Sequence, residues 1–246
     1  MAYDIILGRS PSDKEHFGSK GTIFLGKGYV TMGQTTSLSN RILLDIVRST
    51  VILVSGKRGG GKSYSLSVIA EEMAAQPEEI SRNLAMILID TMGVFWTMKY
   101  PNLRDETLLE EWNLKPKGME IDVYAPAGYF KGLKEKGLPV DKPFSIKTSE
   151  LESGDWCDVL DVPLLEPIGI LIEQTLEEVR KKYGDEYDVG DIISSIEKSK
   201  KNSSMKEAAI NLLRNAQRWG LFSKDGTTIE ELAQRGKVTV LDISAY

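Results

Sequence analysis

Gly56-Lys57-Arg58-Gly59-Gly60-Gly61-Lys62-Ser63 is the stretch on which the reading of this chain turns. It satisfies the pattern G-x-x-x-x-G-K-[ST] at every fixed position. Glycines free the backbone to aim consecutive N–H groups inward, which makes a concave anion site. A helix starting at about Gly61 adds its unpaired N–H groups and the positive end of its dipole. Lys62 has the reach for β- and γ-phosphates, and the Ser63 hydroxyl suits a Mg²⁺ ion. The expected cofactors are ATP and Mg²⁺. The candidate cradle comprises Gly56, Lys57, Arg58, Gly59, Gly60, Gly61, Lys62, Ser63 and the adjoining Tyr64, with Ser63 as the metal ligand.

The flanks predict the context this loop needs. Val51-Ile52-Leu53-Val54 reads as a buried strand of a parallel sheet. Residues from Lys62 to Gln76 read as a helix, with Pro77 beyond its end. Met86-Ile87-Leu88-Ile89 reads as a second buried strand, closed by Asp90. Strand, helix, strand is the βαβ unit of an α/β fold. Hydrolysis also needs a carboxylate near the metal or the attacking water. Two strand-end aspartates are candidates: Asp90, and Asp242 after Val238-Thr239-Val240-Leu241. Asp90 joins Lys62 as a candidate catalytic residue. The competing reading is that each Asp closes its strand or caps the next turn.

Outward from this core, residues 1–48 are punctuated by Gly and short strand-like runs and read as a β-rich lead-in. Residues 49–246 read as the nucleotide-binding domain. The sequence predicts a short helix near Leu103–Trp112, a strand near Ile121–Tyr124, a loop over Ala125–Pro143 and a short strand at Phe144–Ile146. Apolar residues at helical spacing predict helices over 164–182, 191–200 and 205–219. The block at about 150–220 reads as a helical insertion between sheet strands.

The whole chain has 246 residues, 41% hydrophobic and 27% charged, which excludes disorder and leaves ample material for a core. No run approaches 18 apolar residues, so no membrane span and no membrane partner is expected. With one Cys and one His, neither an internal disulfide nor an ordinary zinc site is expected, and a cytoplasmic location is the default. Net charge is −5, so contact with DNA would need a local basic patch or several subunits. Two tracts qualify: Lys131, Lys134, Lys136, Lys142 and Lys147, and Lys198, Lys200, Lys201 and Lys206. Loops of this kind contact phosphates without reading bases, though most Lys-rich loops are only solvated. Trp156, Cys157 and Trp219 read as core, and His16 is assigned no role.

Several segments, taken in order, resemble the HerA/FtsK superfamily of P-loop ATPases, nearest the archaeal and bacterial HerA-like branch. They include Phe24-Leu25-Gly26-Lys27, Ile42-Leu43-Leu44-Asp45, Val51 to Ser63, Leu88-Ile89-Asp90-Thr91-Met92-Gly93, Pro143-Phe144-Ser145-Ile146 and Gly236 to Ser244. The resemblance spans most of residues 22–246 and implies an α/β fold with a RecA-like P-loop core. It also implies hexameric rings that pump double-stranded DNA and a NurA-like nuclease as partner. By the same resemblance Lys62 and Ser63 take the Walker A roles and Asp90 matches an acidic residue near the nucleotide.

The departures from the family lie close to Asp90. Met92 stands where the family carries His, and Val94 stands where it carries Glu. The family's Walker B strand and trans-acting arginine would lie beyond Tyr246. The expectation is therefore an N-terminal portion of a longer ATPase, one that binds nucleotide without turning it over. Two alternatives are a non-hydrolysing nucleotide-binding module that regulates assembly, and a small-molecule kinase using the helical block as a lid.

Overall fold

A computed structural model describes residues 4–32 and 35–246. The chain begins with Ile5–Leu7 (β1) and a helix, Pro11–Phe17 (α1), whose first turn is capped by the Ser10 hydroxyl accepting the Asp13 N–H at 3.1 Å. Two long strands follow, Thr22–Met32 (β2) and Thr35–Asp45 (β3). Next come Lys62–Ala74 (α2), Glu78–Ser81 (α3), Met86–Asp90 (β4), a 3₁₀ turn at Phe95–Lys99, and Glu106–Glu111 (α4). Ile121–Pro126 (β5), Ala127–Glu135 (α5), Lys142–Phe144 (β6) and Ile146–Lys147 (β7) lead to the helices. These are Ser153–Val159 (α6), Pro167–Tyr183 (α7), Val189–Lys198 (α8) and Ser203–Arg218 (α9). Phe222–Ser223 (β8), Ile229–Leu232 (α10) and Val238–Asp242 (β9) complete the chain.

The fold is mixed α/β. Strands β4, β9, β5 and β6 line up in that order as a parallel sheet, as in a P-loop nucleotide-binding core. Residues divide into two compact units. The first holds Met1–Leu88, Thr97–Ile121 and Ala233–Thr239, and the second holds Ile89–Trp96, Asp122–Leu232 and Val240–Tyr246.

In the first unit β1 runs parallel to β3 and β2 antiparallel to it, with register shifts between Phe24 and Gly26 and between Lys27 and Tyr29. Arg9 locks this sheet to the α1 corner. Its guanidinium donates to Asp45 at 2.6 Å and to the carbonyls of Gly18, Lys20 and Gly21, with both charged side chains fully buried. Helix α2 docks on β2 through polar contacts at its far end. The Phe24 N–H donates to Glu72 at 3.3 Å, and the Gln76 amide donates to the Thr22 carbonyl at 3.4 Å.

The second unit is built on α6–α9. Trp156, Ile172, Leu176, Val179, Ile192 and Leu213 form its buried centre. A reciprocal capping box between Asp188 and Asp191 starts α8. Arg180 ties α7 to the entry of α6 by donating to Glu152 at 2.8 Å and to the Leu151 carbonyl at 3.0 Å. Trp156 and Cys157 are core, as read from the sequence, and Trp219 is partly buried against the same cluster. Burial pushes the Cys157 thiol up, the opposite of what a reactive thiol needs. Among the described residues no helix is long and apolar enough to cross a membrane.

Two expectations fail. Val51-Ile52-Leu53-Val54 is not a buried strand: it is irregular backbone, with Val51 99% and Leu53 88% exposed. A β-branched run becomes a strand only where a neighbour supplies ladder hydrogen bonds, and none of the described strands pairs with it. The Ala125–Pro143 loop is also wrong, because α5 occupies 127–135. Gly128 lies within this helix. That glycine serves close packing, since a Cβ there would stand 2.5 Å from the Trp219 carbonyl oxygen.

Candidate functional site

The Gly56–Ser63 segment folds as a tight loop opening directly into α2. Gly59 and Gly61 hold positive φ, +77° and +81°, a region that side chains with a Cβ avoid. The Gly60 N–H donates to the Lys57 carbonyl at 3.1 Å, and a Cβ on Gly60 would lie 3.0 Å from that oxygen. These glycines therefore set the curvature of the loop. Gly61 is the N-cap of α2, and no side chain caps the first turn. The first helical bond runs from the Ser65 N–H to the Gly61 carbonyl at 2.9 Å, so the preceding N–H groups at the helix start have no partner within the helix.

Lys62 folds back over the loop. Its ammonium donates to the carbonyls of Gly56 and Lys57, both at 3.0 Å. A cation held only by two backbone carbonyls is suited to exchange them for the oxygens of an anion. Ser63 and Tyr64 are exposed beside it, as are Lys57 and Arg58. Ser67 donates its hydroxyl to the Ser63 carbonyl at 3.1 Å, which leaves the Ser63 hydroxyl outside that bond. The groups present are of the kind that would hold a nucleotide phosphate tail with its metal: N–H groups at the start of α2 without a helical partner, the Lys62 ammonium and the Ser63 hydroxyl, in a loop whose glycines carry no side chain.

Asp90 and Asp242 close neighbouring strands β4 and β9 in the second unit, and the Ile243 N–H donates to the Asp90 carbonyl at 2.9 Å. Asp90 is only 1% exposed. One carboxylate oxygen accepts the Met92 N–H at 3.0 Å, and the other accepts the N–H groups of Val94 and Phe95, both at 2.7 Å. The carboxylate thus caps the turn that starts the 3₁₀ segment. Asp242 accepts the Ser244 N–H at 3.0 Å. Met92 and Val94, between these contacts, are exposed. The structure brings the cradle residues together with Lys62, and it brings the two aspartates together.

A scan against family models matches residues 29–246 to the central domain of helicase HerA. The chain belongs to the HerA family. No curated protein matches it. As a HerA-family domain it is of the HerA/FtsK ATPase type, in which nucleotide use is implied by the family. Much of the basic charge in this HerA-family domain is already engaged. Lys206 donates to the carbonyls of Glu197 and Ser199 at the end of α8, Lys201 to Gln174, and Lys142 to Asp122. Sequence reasoning missed a second feature of the first unit, an aromatic-lined cleft on one face of α2. Its lining comes from three separate segments, so no local pattern announces it.

Proposed function

We propose that the chain is the ATP-binding part of a HerA-type DNA-translocating ATPase. The observation that carries the proposal is the Lys62 ammonium held by the carbonyls of Gly56 and Lys57, in a glycine loop that opens into the uncapped start of α2. Gly56 to Ser63 grip the phosphate tail through backbone amides and Lys62, Tyr64 borders the cradle, and Ser63 ligates the Mg²⁺ that accompanies ATP. Bound Mg²⁺ would supply charge neutralisation between the β- and γ-phosphates. Asp90 orders the loop at the end of β4. Subunits assemble as a hexamer around double-stranded DNA, with Lys131, Lys134 and Lys136 on and after α5 offering phosphate contacts, and a NurA-like nuclease as partner.

Titration with a fluorescent ATP analogue, with and without Mg²⁺, tests the core of this reading. Saturable binding that weakens on the order of 10- to 100-fold in Lys62→Ala is the expected result, and equal affinity in the variant would end it. Double-stranded DNA stimulating ATP turnover by an assembled ring tests the rest.

A second reading, a nucleotide-binding assembly module that never hydrolyses, is favoured by one feature. Three backbone N–H groups already occupy the Asp90 carboxylate, and the exposed Val94 beside it carries no acid. Nucleotide-dependent oligomerisation without DNA-stimulated turnover would select it.

A further inference from the structure

A cleft of about 740 Å³ opens within the first unit along one face of α2, and its volume lies in the range of small-molecule sites. Three segments converge on it: Phe24-Leu25-Gly26 on β2, α2 itself, and the stretch from Thr97 to Met119. On α2 the wall starts at Tyr64, the residue after Ser63. It continues through Val68 and Glu71, at the spacing that aligns side chains along a helix. From Tyr64 to Glu71 the helix axis rises roughly 10 Å. The cleft therefore begins where the phosphate loop ends, and Tyr64 borders both.

Much of this wall is apolar and uncovered. Tyr64 is 62% exposed and Tyr100 56%, and Leu108 and Leu114 are exposed as well, although all four line one concavity. Large apolar side chains left open on a shared concave surface point to a ligand that covers them. The Trp112 ring is less open, because the Lys27 ammonium lies 5.3 Å from its centre. Charges in the wall are of both signs, Glu71 and Glu72 with Lys115 and Lys117. Glu72 is engaged by the Phe24 N–H. Burial raises the Glu71 carboxyl above its ordinary value, Glu72 adds to the rise, and Lys117 opposes it. Such a wall favours neither an anion nor a cation. It suits a neutral planar ring that carries both hydrogen-bond donors and acceptors.

We propose that this cleft receives the nucleoside of the nucleotide whose phosphate tail the loop holds, with the base covered by Tyr64, Tyr100 and Leu108. The inference rests on the phosphate-loop reading above and adds to it the side chains that bind the base. The aromatic and aliphatic wall selects a ring, and the mixed charges select a neutral one. Tyr64 ties that ring to the phosphates, since it lines the cleft and follows the Ser63 of the loop directly. Stacking of a base on an aromatic side chain is worth roughly ten- to a hundredfold in affinity.

Calorimetric titration of the full 246-residue chain in Mg²⁺ compares ATP with inorganic tripolyphosphate, which has the phosphate tail and no nucleoside. Tripolyphosphate carries at least as much negative charge, so charge alone would favour it. ATP is nevertheless expected to bind at least about tenfold tighter. Tyr100→Ala should weaken ATP about tenfold and leave tripolyphosphate unchanged, whereas Lys62→Ala should weaken both. Leu108→Arg, at a position already exposed, should give the same split by filling the cleft. Equal affinity of the parent chain for ATP and tripolyphosphate, or ATP affinity unchanged in both cleft variants, would overturn the proposal and leave the phosphate loop standing. Binding of neither compound would overturn the loop reading and this proposal with it. The parent comparison involves no substitution, so it does not depend on any variant folding.

Discussion

The Lys62 ammonium lies 3.0 Å from the carbonyl oxygen of Gly56, six residues upstream, and donates a hydrogen bond to it. This bond and its twin to Lys57 hold the cation at the mouth of the loop, where its charge is available to an incoming anion. Lys62→Ala removes the charge and leaves the loop glycines untouched. We expect nucleotide affinity to fall on the order of 10- to 100-fold, the size of one or two charge-assisted hydrogen bonds. Fluorescence titration measures it, and thermal melting of the free variant should stay within a few degrees of the parent.

Asp90 carries a different prediction, because its carboxylate caps a turn. In Asp90→Asn one oxygen becomes an NH₂ group and can no longer accept, which orphans at least one of the three backbone donors. A loss of about 1–3 kcal/mol is expected by urea unfolding. Binding of the ATP analogue should survive at urea-free conditions. Wild-type stability in this variant would contradict the capping role.

The buried Arg9–Asp45 pair makes stability depend on acid. Arg9 is the main influence holding the Asp45 carboxyl below its ordinary value of 3.8, helped by the Val47 N–H. A group whose acidity constant is lowered by folding contributes stability that is complete above its unfolded value. That contribution is lost as pH falls through the lower folded value. Unfolding followed by circular dichroism should therefore show a loss of stability as pH drops below 3.8, and the acid sensitivity should weaken in an Asp45→Asn variant. Arg9→Met strands the buried carboxylate and should cost about 3–5 kcal/mol at neutral pH.

Val51 and Leu53 expose apolar surface beside the loop, and among the described residues no strand pairs with them. Exposed apolar side chains of this kind are a site for association. At concentrations of tens of micromolar, an order chosen from the usual range for aggregation of exposed strands, sedimentation should show self-association that Leu53→Lys diminishes. The substitution touches a side chain that is already 88% exposed, so the melting temperature should change little.

The amino-acid sequence by itself determined the loop, because its chemistry is local. Eight consecutive residues contain the glycines, the lysine and the helix start that an anion site requires, and α2 follows them directly. It also determined α7, α8 and α9, whose apolar stripes are periodic enough to be read one residue at a time, and β4 and β9 as compact apolar runs. Tertiary structure decided what depends on a partner elsewhere in the chain. Val51–Val54 has strand composition yet forms no ladder among the described strands, while Gly128 resembles a loop residue yet sits in a helix, where the Trp219 backbone leaves no room for a Cβ. The same holds for Asp90, whose carboxylate is engaged by a turn that no motif describes, and for the cleft beside α2, assembled from three distant segments. Periodicity and motif report the neighbours a residue has along the chain; burial and hydrogen bonding depend on the neighbours it acquires through folding.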